Sequence, residues 1–122
     1  MNRLLQGDVG SGKTIIAVMG MAMVIEAGAQ AALMAPTGIL AEQHYQTIRK
    51  LLTVGTEEHP AFLQGGQVRL LTGDTSQADR GEIFAGLESG YVKLLIGTHA
   101  LIEDPVTFQN LQMVVVDEQH RF

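Results

Sequence analysis

Apolar and polar residues alternate along the 122-residue chain in two rhythms. Short apolar blocks bounded by turn-forming residues read as strands: Asn2–Gln6, Ala31–Ala35, Val68–Leu71, Val92–Ile96 and Met113–Val116. Between them lie longer stretches with helical character. Lys13–Ala27 is apolar on most sides and stops at Gly28, the pattern of a helix buried against a sheet. Thr37 can cap a helix running to about Thr53, with Leu40, His44, Ile48, Leu51 and Leu52 near one face at spacings of three and four. Val54–Gly66 carries Gly, Glu, His and Pro and reads as a loop. Ser76 can cap a further helix to about Ser89, with Asp79 three residues on and Gly90 as the stop; Gly81 and Gly86 weaken it. A short irregular or helical piece follows the fourth strand and is broken by Pro105.

The last strand block is apolar on both faces, which suits a parallel sheet covered by helices on both sides. The order βαβαβαβ(α)β then predicts a single open α/β domain with right-handed crossovers. No internal repeat or low-complexity tract interrupts it.

Composition narrows the functional classes. Hydrophobic residues make up 46% and charged residues 17%, enough apolar material for a core. The absence of cysteine excludes disulfides and thiolate–metal sites and fits a cytoplasmic protein. With 8 basic and 13 acidic residues the net charge is −5, so a broad basic footprint for nucleic acid is missing. Any DNA contact is then local, made largely by backbone amides and hydroxyls. The apolar run Ile15–Ile25 is too short to span a bilayer, so no membrane partner is expected.

The first chemical motif is 7-GDVGSGKT-14, which fits G-x-x-x-x-G-K-[ST], the phosphate-binding loop or Walker A pattern. Gly7, Gly10 and Gly12 let the backbone fold tightly, so that amides here and at Ser11 point at one anion. The helix that starts at Lys13 aims its positive dipole end at the same spot. Lys13 can reach β- and γ-phosphates, and Thr14 offers a hydroxyl to Mg²⁺. A glycine turn with no ligand would not require a lysine at that point.

The second motif is an apolar strand ending in Asp117 and Glu118. Open α/β sheets bind ligands beyond the carboxyl ends of their strands, so Asp117 is expected beside the phosphate loop, suited to hold Mg²⁺. Glu118 is suited to orient or deprotonate an attacking water. A solvated acidic strand end is the plain alternative. His120 reads as a polar link between the nucleotide site and another domain rather than a metal ligand. His44, His59 and His99 read as surface or internally satisfied histidines. Ala35-Pro36-Thr37 and Gly97-Thr98-His99 each follow a strand and present hydroxyls and free amides; helix capping accounts for both threonines, and so does contact with a phosphodiester backbone.

Four stretches together resemble the first motor domain of superfamily 2 helicases, and within them the RecG type: 2-NRLLQGDVGSGKT-14, 33-LMAPTGILAEQH-44, 97-GTHALI-102 and 114-VVVDEQHRF-122. The resemblance implies a partial RecA-like P-loop domain carrying motifs I, Ia, Ib and II across residues 1–122. It assigns Lys13 and Thr14 to ATP and Mg²⁺, Asp117 to Mg²⁺, Glu118 to water activation, and Gln119 and His120 of the DEQH box to coupling hydrolysis with movement. Pro36, Thr37, Thr98 and His99 fall on the DNA side of the motor. The implied partner is branched or forked DNA, engaged through the full-length enzyme, with ATP as the small-molecule substrate. The related transcription-repair coupling translocases typically carry a second glutamate where this chain has Gln119.

Two departures from the family pattern bear on structure. Gly38 stands where the family has glutamate, which predicts a later start or fraying of the motif Ia helix. Motif III, the wedge domain and the second motor lobe are absent from these residues. The expectation is a fragment inactive as a helicase by itself, with the place between the motif I and motif II strands empty or closed in another way. Two alternatives stay open at this point: a stand-alone P-loop NTPase or small-molecule kinase, and a non-catalytic nucleotide-binding remnant.

Overall fold

The computed structural model describes residues 3–7, 11–53, 62–98 and 107–117, with side chains described from Ile16 onward. In chain order the elements are β1 (Arg3–Gly7), α1 (Ser11–Glu26), β2 (Gln30–Ala35) and α2 (Gly38–Thr53). A 3₁₀ turn (Gly65–Gln67) leads into β3 (Val68–Leu71), followed by α3 (Gln77–Ser89), β4 (Leu94–Thr98) and β5 (Leu111–Asp117).

The strands form one parallel five-stranded sheet in the order β1-β5-β2-β4-β3. The chain moves outward from β1 to β2 to β3, then turns back through β4 and inserts β5 between β1 and β2. A right-handed crossover that reverses direction along a sheet places its helix on the opposite face. Accordingly α1 and α2 share one face and α3 lies on the other.

Strand alternation distributes the core between those faces. Ala31 and Leu33 of β2, Leu94 and Ile96 of β4, and Met113 and Val115 of β5 pack against Ala17, Val18, Met21 and Ile25 of α1 and Ala41, Ile48 and Leu52 of α2. Leu71 and Leu95 point the other way, onto Ile83 and Leu87 of α3 and onto Val92. Each fully buried Leu or Ile contributes about 1.5–3 kcal/mol over its exposed state.

Local chemistry accounts for the helix ends. Ser76 Oγ accepts the Asp79 amide at 3.1 Å, and α3 ends at Gly90, whose φ of +89° suits glycine. The two internal glycines do not break α3. Gly86 is required by packing, since a Cβ there would lie 2.5 Å from Val92 Cγ2.

Several expectations are corrected. Helix α1 begins at Ser11, two residues before Lys13. It is also not buried all round: Ile16, Met19 and Met23 are 67%, 62% and 71% exposed, on the side turned away from the sheet. Helix α2 starts at Gly38 without delay, because Thr37 Oγ1 accepts the Leu40 amide at 3.2 Å and the Thr37 carbonyl accepts the Ala41 amide. The fourth strand begins at Leu94, not Val92, whose amide is drawn back to the Gly86 carbonyl at the end of α3. Of the two outcomes expected for the place between the motif I and motif II strands, closure is the one found, with β1 and β5 hydrogen-bonded neighbours. Most of the Val54–Gly66 loop, His59 and Pro105 lie outside the described residues.

Gln30 at the head of β2 is fully buried yet satisfied. Its Nε2 donates to the carbonyls of Leu87 (3.0 Å) and Val92 (2.7 Å), and its Oε1 accepts the Asn110 amide (2.8 Å). One side chain thereby ties β2 to the end of α3, the entry to β4 and the entry to β5.

Candidate functional site

The candidate residues gather where the strands end. In the β1–β5 ladder Gly7 is the direct partner of Asp117. On the other side of β5, Val116 pairs with Met34, so Ala35 follows at the level of Asp117, and Ala35 in turn pairs with Thr98. The start of the phosphate-loop motif, the acidic strand end and the two hydroxyl-bearing segments therefore stand in one row along the carboxyl edge. Parallel strands produce this because every strand ends on the same side.

A strand and a helix flank the phosphate-loop motif. β1 ends at Gly7, and Ser11, Gly12, Lys13 and Thr14 form the first turn of α1. The free amides and positive dipole end of a sixteen-residue helix thus sit just past the strand edge. Side chains of these four residues, and Gly10 altogether, lie outside the described residues, as do His99, Glu118, Gln119 and His120.

Asp117 is fully buried and on the α1/α2 face, in phase with Met113 and Val115. Its Oδ2 accepts a hydrogen bond from His44 Nε2 at 2.9 Å. An ionised carboxylate offers lone pairs only, so the tautomer that makes this bond to it carries its proton on Nε2. His44 occupies the inner face of α2, one turn from Leu40 and one from Ile48, with its side chain 12% exposed. The histidine is satisfied, as its place in that apolar row implies, but its partner is the aspartate of the acidic motif. The signal was the helical spacing itself: a polar ring in an inward-facing row needs a polar group across from it.

Pro36 and Thr37 are exposed just beyond β2, and Thr98 is half-buried at the end of β4. Thr37 caps α2, so its capping role is real; its amide and the exposed edge around it remain compatible with a phosphodiester.

The donor chemistry suits Mg²⁺. Asp117 supplies a hard carboxylate oxygen, and among the described residues no group of three or more His, Cys, Asp or Glu could enclose a metal ion. Mg²⁺ is commonly held by one or two carboxylates together with substrate phosphates rather than by an all-protein cage. Among the described residues no helix is long and apolar enough to cross a membrane.

Comparison with known proteins agrees with this geometry. The chain is 52% identical over 122 residues to the ATP-dependent DNA helicase RecG of Synechocystis, covering all of this chain and 14% of that protein. It is 50% identical over 126 residues to RecG of Mycobacterium bovis, of which it covers 17%. A solved structure of RecG bound to a three-way DNA junction superimposes with a TM-score of 0.78 at 46% identity, over the whole of this chain and 16% of that one. The chain thus spans about a sixth of the length of these relatives. A match to the DEAD/DEAH box helicases extends over residues 1–122. With the row of motifs at the sheet edge, that full-length match shows that the chain belongs to the DEAD/DEAH box helicase family.

Proposed function

We propose that these residues form the ATP-binding and hydrolysing part of a RecG-type DNA helicase that remodels branched DNA and stalled forks in recombination and repair. The observation that carries the reading is the pairing of Gly7, the first residue of the loop motif, with Asp117, the first residue of the acidic motif. The similarity to RecG, one structure of which holds a three-way junction, supports branched DNA as the partner. A cytoplasmic location is part of the same proposal.

In this reading the amides of Gly10, Ser11 and Gly12 and the amino group of Lys13 hold the β- and γ-phosphates of ATP. Thr14 and Asp117 would hold Mg²⁺, which when bound neutralises charge on those phosphates. Glu118 orients the attacking water and accepts its proton. Gln119 and His120 transmit the hydrolysed state to the rest of the motor. Pro36, Thr37, Thr98 and His99 touch the DNA backbone with amides and hydroxyls, in keeping with a net charge of −5.

Lys13→Ala in the full-length protein tests the assignment. ATP hydrolysis should be abolished while binding to a forked DNA is largely retained. Normal turnover in that variant would remove Lys13 from the chemistry and favour a non-catalytic nucleotide-binding remnant.

A further inference from the structure

We propose that His44 is a positioning residue for the metal site: its imidazole holds the Asp117 carboxylate in the orientation that receives Mg²⁺, making helix α2 part of the nucleotide machinery. The proposal rests on the reading of Asp117 as a Mg²⁺ ligand.

Three observations carry it. The bond is short, 2.9 Å between Nε2 and Oδ2, and joins residues 73 positions apart on two rigid elements, a helix interior and a strand end. Both partners are shielded, with Asp117 fully buried and the His44 side chain 12% exposed, so water competes weakly for the bond. The rest of the same helical row, Ala41, Ile48 and Leu52, is buried against the sheet and fixes how far the ring stands from the strand edge.

Ligating carboxylates are themselves usually hydrogen-bonded, because a ligand free to rotate must be ordered each time the metal binds. A ring anchored on α2 fixes one oxygen of Asp117 and hence the plane of the carboxylate. α2 begins at Gly38, directly after the Ala35-Pro36-Thr37 edge. The segment assigned to the DNA side therefore leads directly into the helix that carries the ring orienting the carboxylate.

The test uses the full-length protein and a fluorescent ATP analogue, with affinity measured in EDTA and across a Mg²⁺ titration. His44→Leu fills the apolar row but has no donor. It should raise the half-saturating Mg²⁺ concentration by about 10–100-fold and leave the metal-free affinity unchanged. His44→Gln keeps an N–H donor and should recover most of that loss. A His44→Leu variant with wild-type Mg²⁺ dependence overturns the proposal, as does an equal loss of affinity with and without Mg²⁺. Asp117→Asn separates the two layers. If it leaves the Mg²⁺ dependence unchanged, Asp117 is not a ligand and both readings fall; if it shifts that dependence while His44→Leu does not, only the role of His44 falls. Should His44→Leu not fold, the imidazole ¹⁵N resonances of the unaltered protein decide. They should report a protonated Nε2 and move on adding Mg²⁺ with nucleotide, but not with nucleotide alone; resonances indifferent to Mg²⁺ reject the proposal.

Discussion

Replacing Gln30 by methionine keeps the length of the side chain and deletes its three hydrogen bonds. The consequences differ group by group. The Leu87 carbonyl still accepts the Gln109 amide, so it is not orphaned. The carbonyl of Val92, a residue 1% exposed, loses its 2.7 Å donor, and the part-buried Asn110 amide loses its acceptor. Leaving a buried polar group unpaired costs about 1–3 kcal/mol, and a part-buried one falls at the low end, so Gln30→Met should cost about 2–4 kcal/mol. Against a total stability of about 5–15 kcal/mol for a domain this is a large fraction. Urea denaturation followed by circular dichroism should show the midpoint falling by about 1–2 M with an unchanged slope. A shift under about 0.3 M would mean that water replaces the amide at no cost, and that Gln30 does not hold the three segments together.

Two glycines in α3 should respond with opposite signs. Gly81→Ala meets no atom within 4 Å and should gain up to about 1 kcal/mol from helix preference, whereas at Gly86 the added methyl collides with Val92 and should produce a net loss of about 1 kcal/mol. Thermal melting of both variants checks this, and equal shifts would refute the packing argument. Ser76→Ala removes the acceptor for the Asp79 amide and should lower stability by about 1 kcal/mol, read from the same melts; a change near zero would show the cap to be replaced by solvent.

Much of the architecture was legible because it is set by neighbours in sequence. α3 has both of its boundaries written in Ser76 and Gly90, and β3 is a short, mostly apolar block between turns. The approach of Gly7 and Asp117 was legible for a different reason: parallel strands deliver their ends to one edge whatever their order. That order was not legible. Nothing near Arg3 or Leu111 encodes that β1 takes β5 as its neighbour, because the choice is made by pairing across more than a hundred residues. Nothing around Gln30 in the sequence announces its role, since its three partners come from distant segments. His44 was half legible. Its spacing put it on the inner face of α2, but the identity of its partner depends on where β5 lands in the sheet.

The position of β5 also governs how the molecule comes into being. It is the last of the described strands in sequence and the sole neighbour of β1 in the described sheet. A growing polypeptide that has not yet released Leu111–Asp117 from the ribosome offers β1 no ladder to join. Among the described strands, the one that launches the glycine loop thus waits for a latecomer, and closing so long a loop is slow. The loop's scaffold and its acidic counterpart are consequently born in a single event. In the described sheet, the strand that leads into the loop gains its neighbour only when the acidic strand arrives.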